Sequence, residues 1–118
     1  MAAGAHLTKL LSAWNEGDEG ARRAILEEAI SIASFTYEDP NAPSPFEGVD
    51  GMADYLSTFL KALPDATLLP LGSPAVTHGT AMVRARLDRS GTPFAELRFV
   101  GFGDGDGLSR VTGFVESE

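Results

Sequence analysis

Apolar residues recur at helical spacing through the first half of the chain. Leu7, Leu10, Leu11 and Trp14 fall at steps of three and four, and this stripe predicts a helix from Ala5 to Asn15. Asn15-Glu16-Gly17 ends it, with Gly17 expected as a left-handed cap. Asp18 reads as the N-cap of a second helix, in which Ala21, Ile25 and Leu26 keep helical spacing as far as Glu28. Ile30, Ile32 and Ala33 read as a buried tail leading into a strand. A third apolar face, Val49, Met52, Tyr55, Leu56, Phe59, Leu60 and Leu63, predicts a helix from Val49 or Asp50 to Ala62, stopped by Pro64-Asp65.

Between the second and third helices, Ser34 to Glu38 reads as a strand, and the proline-rich stretch from Pro40 to Phe46 as a loop. After Asp65 the period changes from helical to alternating. Thr67 to Leu71 predicts a short edge or bulged strand, because Pro70 lacks an amide proton. Val76 to Asp88 predicts one long strand, Phe94 to Phe102 another and Leu108 to Val115 the last. Arg89-Ser90-Gly91-Thr92 and Asp104-Gly105-Asp106-Gly107 are the turns between them. Helices gathered ahead of an antiparallel meander imply an α+β fold with the helices on one face of the sheet. Gly72, Gly79, Gly101 and Gly113 lie where bends would curve that sheet into a cone around a pocket.

Composition narrows the function. The 118 residues suit one domain, 1–118, and 43% apolar content is enough for a core. A net charge of −8 argues against nucleic acid and against an anionic membrane surface. The absence of cysteine excludes disulfides and thiolate chemistry. The two histidines, His6 and His78, have no metal-ligand spacing, so neither metal nor cofactor is expected. No apolar run spans a bilayer and no leader pattern opens the chain, which leaves a cytoplasmic protein by default.

The candidate chemistry centres on Asp39. Strand alternation puts Phe35, Tyr37 and Asp39 on one face and Thr36 and Glu38 on the other. A carboxylate sharing a face with two rings is costly unless it is paired, capped or protonated. Asp39 is therefore either a pocket acid or base, or a loop-entry carboxylate that caps the amides of Asn41 and Ala42. His78 and Met82 share the even face of the long strand with Arg84 and Arg86. If that face lines the pocket, His78 is a candidate acid or donor; otherwise it belongs to the surface. Trp14, Met52, Tyr55 and Phe59 are core or pocket wall. Asp104 to Gly107 lacks the glutamate of a calcium loop.

These segments resemble the nuclear transport factor two-like superfamily, in particular its SnoaL-like and ketosteroid isomerase-like branch. The resemblance rests on Trp14-Asn15-Glu16-Gly17-Asp18 at the end of helix one, on Tyr37-Glu38-Asp39-Pro40 in the strand, and on Gly48 with Met52, Leu56 and Phe59 in the next helix. It implies a cone-shaped barrel, a curved antiparallel or mixed sheet wrapped around three N-terminal helices, and a homodimer through the sheet. In the steroid isomerases the aspartate at the position of Asp39 is the base, facing an oxyanion hole of a tyrosine and a protonated aspartate. Here the oxyanion tyrosine falls on Leu10, a further tyrosine on Leu56 beside Tyr55, and the partner aspartate near Glu96 to Arg98. Losing one such donor typically costs about 3–4 kcal/mol of transition-state stabilisation.

Three readings result. One is an isomerase-, cyclase- or hydratase-like enzyme without cofactor, with Asp39 and His78 as catalytic residues. Its small hydrophobic substrate would meet a wall of Trp14, Phe35, Tyr37, Met52, Tyr55, Phe59 and Met82. The others are a non-catalytic ligand-binding domain and a protein-interaction domain of the same fold.

Overall fold

The structure, a computed structural model, describes residues 3–31, 33–42, 44–104 and 106–116. Helix α1 (Ala3–Ser12) runs into a 3-10 turn at Ala13–Asn15 and is followed by α2 (Glu19–Ala29). Strands β1 (Thr36–Glu38) and β2 (Phe46–Glu47) precede α3 (Gly48–Ala62). Four strands complete the chain: β3 (Ala66–Thr77), β4 (Thr80–Arg89), β5 (Thr92–Asp104) and β6 (Gly107–Glu116).

The six strands form one curved mixed sheet in the order β2-β1-β6-β5-β4-β3. Only β1 and β6 run parallel, with Thr36, Tyr37 and Glu38 opposite Arg110, Val111 and Thr112. The sheet is open, with β2 and β3 at its edges, so the cone is not a closed barrel. Register shifts that leave extra residues in β3, β5 and β6 supply bends.

All three helices bury one stripe against the inner sheet face. Leu10, Leu26, Met52, Leu56 and Val111 are fully buried, each contributing about 1.5–3 kcal/mol of burial. Leu7 packs where Gly101 leaves room for it. The Asn15 side chain clamps the end of α1 to the sheet, accepting from the Leu68 amide at 2.8 Å and donating to the Leu68 carbonyl at 2.7 Å. Buried Arg22 ties the helix junction together through the carbonyls of Glu16 and Gly17 and the hydroxyl of Ser57. Asp18 caps α2 by accepting from the Ala21 amide at 2.8 Å.

Several sequence expectations are corrected. Gly17 is not left-handed; α1 tightens into the 3-10 turn and leaves through extended Glu16. The strand expected over Val76 to Asp88 is two strands, because His78 takes φ 49° and Thr77 pairs back onto Thr80. Edge strand β3 runs through Pro70, where a missing amide proton is tolerated. β2 was hidden in the proline-rich loop. Ala33 is exposed, not buried, whereas Ile32 and Gly105 lie outside the described residues. Ser90 and Gly91, at φ 50° and 81°, make the expected hairpin turn between β4 and β5.

Candidate functional site

Asp39 leaves β1 at the point where Pro40 stops the ladder. Its own carbonyl accepts from the Ala42 amide at 3.1 Å, closing a turn with proline at the second position. Its Oδ1 accepts from the Asn41 and Ala42 amides at 2.8 and 3.0 Å. Its Oδ2 accepts from the Tyr37 hydroxyl at 2.6 Å and the Tyr55 hydroxyl at 2.5 Å. Tyr37 reaches it from two residues earlier on the same strand face. Tyr55 reaches it from α3, where the step of three from Met52 and four to Phe59 turns it toward the sheet. Asp39 therefore both caps its turn and anchors two phenols.

Aromatic rings crowd this carboxylate. The Trp14 ring centre lies 5.9 Å from that of Tyr37, 6.5 Å from that of Tyr55 and 5.5 Å from that of Phe99. Tyr37 and Tyr55 are 5.3 Å apart, and Tyr55 also meets Phe46 at 4.9 Å and Phe59 at 6.3 Å. Burial above all pushes both phenol pKa values well up, with the Asp39 carboxylate adding to the effect. Both hydroxyls therefore stay protonated and keep donating.

Beside this cluster is a cavity of about 40 Å³. The N-terminal half contributes Trp14, Tyr37, Asp39, Asn41, Tyr55 and Phe59; the sheet closes it with Leu87, Leu97, Phe99, Gly113 and Val115. A side chain at Gly113 would meet the Tyr37 hydroxyl at 3.1 Å and the Asp39 Cβ at 3.2 Å, so glycine lets β6 approach the carboxylate. Asn41 and Val115 are the exposed members of the lining and mark its mouth. Among the described residues no Lys, Arg or His lines the cavity.

The structure thus brings together Asp39, Trp14, Tyr37, Tyr55 and Phe59. It leaves four sequence candidates outside. Phe35 and Met52 are buried in the core and do not line the cavity. Met82 alternates with inward-facing Ala81 and Val83, which puts it on the outer face. His78 sits in the exposed turn between β3 and β4. The other histidine, His6, is buried in α1, and no hydrogen bond to its Nδ1 is found among the described residues. Leu97, Phe99 and Val115 escaped the sequence reading, and Gly113 was expected only as a bend, although their parity with Gly101 and Val111 was available as a signal. Among the described residues no group of three His, Asp or Glu could share a metal ion. No helix among them is long and apolar enough to cross a membrane.

Arg84 and Arg86 lie on the outer face. Arg84 is 3.8 Å from Glu96 across the strands, and Arg86 pairs at 2.7 Å with Asp88 of its own strand. Exposed Phe102 and Phe114 share that face.

No family model matches the chain. A stretch of 78 residues, 66% of the chain, is 35% identical to the "Probable potassium transport system protein Kup" of Aromatoleum aromaticum, of which it spans only 12%. A solved candidate isomerase of the SnoaL-like family from Agrobacterium tumefaciens strain C58 superimposes with a TM-score of 0.86, at 23% identity over 96% of both chains. A protein with a ketosteroid isomerase-like fold from Catenulispora acidiphila, solved in complex with trimethylamine, matches with a TM-score of 0.72. Its identity is 12%, over 92% of this chain and 82% of that one. Helix order, sheet order and these superpositions agree along almost the whole chain, whose fold is the α+β cone of these SnoaL-like and ketosteroid isomerase-like structures, the fold expected of the nuclear transport factor two-like resemblance.

Proposed function

We propose that this chain is a small-molecule-binding domain, with the cavity beside Asp39 as its binding site and Asp39 as a fixed anion. The observation that carries this reading is the coordination of Asp39. A carboxylate offers about four lone-pair directions, and here four donors take them up. A base needs a lone pair aimed at its substrate, so one of those donors would first have to leave. A carbonyl ligand needs a donor, and both phenol protons are already directed at Asp39. The trimethylamine complex of the Catenulispora neighbour supports a small ligand in this fold.

A second reading, proton transfer by Asp39, is favoured by its place in the cavity wall beside the Tyr55 phenol. Deuterium exchange at the α-carbon of small ketones, followed by NMR, separates the two. The binding reading expects no exchange above buffer with either wild type or Asp39→Asn. Exchange that the wild type catalyses and Asp39→Asn abolishes would make the domain an enzyme. We also propose a homodimer through the outer sheet face, supported by exposed Phe102 and Phe114 among paired charges.

A further inference from the structure

We infer that the cavity takes a small organic cation, an alkylammonium of about four non-hydrogen atoms. This inference rests on the small-ligand reading above and names its ligand class. Three features of the site carry it.

The first is charge. Among the described residues Asp39 is the one carboxylate of the lining, and its partners are two phenols and two amides, all neutral. Among the described residues no cationic side chain lines the cavity, so the negative charge is solvated by dipoles but not neutralised. An ammonium group would supply the missing countercharge in a setting where water screens it poorly. The net charge of −8 adds long-range attraction for a cation.

The second is donor direction. With both phenol protons turned toward Asp39, the phenol oxygens present lone pairs to anything else nearby. The polar side of the cavity is therefore an acceptor surface. It suits an N–H⁺ donor, and it disfavours a carboxylate or phosphate, which would find no free donor on these phenols.

The third is the wall. Trp14, Tyr37, Tyr55, Phe59 and Phe99 all line the cavity, and aromatic walls around an anion are a setting in which alkylated ammonium groups are held through their methyls and through cation–π attraction. The cavity of about 40 Å³ has room for only a few water-sized groups. That excludes a ligand of steroid size without rearrangement and limits the ligand to a few non-hydrogen atoms.

Trp14 is the only tryptophan of the chain and lines the cavity, so its fluorescence reports occupancy directly. The full chain is titrated with trimethylammonium chloride, with tert-butanol as a neutral compound of similar size and with acetate as an anion. The expected result is a saturable millimolar change with trimethylammonium, at least tenfold tighter than with tert-butanol, and none with acetate. In Asp39→Asn, checked for folding by circular dichroism, the cation affinity falls at least tenfold toward that of tert-butanol. The wild-type comparison of cation with neutral ligand decides the matter even if the variant fails to fold. Equal binding of tert-butanol and trimethylammonium, or preference for acetate, overturns the cation inference and leaves the small-ligand reading standing. No saturable change with any of the three overturns both.

Discussion

Alkaline titration tests the Asp39 cluster without any mutation. The chain has two tyrosines, Tyr37 and Tyr55, and both donate to Asp39. Burial is the largest cause of the upward push on each phenol. Tyr55 and then Asp39 add to it at Tyr37, and the hydrogen bond to Asp39 and its charge add to it at Tyr55. In the unfolded chain both ionise near the ordinary value of about 10. Below that pH the folded and unfolded states carry the same phenol protons, and this contribution to stability is fully present. Above it the unfolded chain releases protons that the folded chain retains, so stability falls as pH rises. The slope is about 1.4 kcal/mol per pH unit for each tyrosine, or about 2.7 kcal/mol for the pair. A domain stable by about 5 kcal/mol would be exhausted roughly two units above the unfolded value. Tyrosinate absorbance and far-ultraviolet circular dichroism, followed together, should change in one coincident step near pH 12. Tyrosinate absorbance that reaches its full two-residue amplitude near pH 10, with the dichroism intact, would refute the description of this site.

A double-mutant cycle measures the same contact at neutral pH. Asp39→Ala removes the acceptor of the hydroxyl of Tyr37, a residue 1% exposed, at a cost of about 1–3 kcal/mol. Adding Tyr37→Phe removes the stranded group, so urea unfolding should show a coupling of about 1 kcal/mol or more; additivity within about 0.5 kcal/mol would show no energetic link. Gly113→Ala should destabilise by about 1–3 kcal/mol and shift Trp14 emission, since its new methyl meets Tyr37, Asp39 and Phe99 at 3.1–3.2 Å; an unchanged unfolding midpoint contradicts that crowding. Phe102→Glu with Phe114→Glu should leave the unfolding midpoint near that of wild type and convert a dimer to a monomer by light scattering. A wild type that is monomeric at high concentration removes the proposed interface.

The helices were legible because their information is local. The stripe of Leu7, Leu10, Leu11 and Trp14 and the cap at Asp18 each lie within a few residues, and both recur in the structure. Tyr37 and Asp39 were legible as a pair because alternation over two residues is equally local. That Tyr55 closes on the same carboxylate was not, since its partner lies sixteen residues away across a loop. Pairings were the least legible feature. β2 has two residues and β1 has three, and each is a strand only because of what lies beside it. His78 went astray for a backbone reason: one residue at positive φ turns a continuous alternating run into a hairpin and moves its side chain away from the inner face.

The parallel pairing of β1 with β6 sets the order in which the molecule can be completed. Among themselves, strands β3 to β6 pair only as sequence neighbours and can zip up as successive hairpins. β1 instead waits for Arg110, Val111 and Thr112, and closing so long a loop carries an entropic cost that local hairpins avoid. During synthesis Tyr37, Asp39 and Tyr55 leave the ribosome long before the strand that holds β1 in place and puts Gly113 beside the carboxylate. A chain cut before Arg110 keeps every polar group of the cluster yet lacks the wall that brings them into register. The cavity is therefore among the last parts of this domain to come into existence.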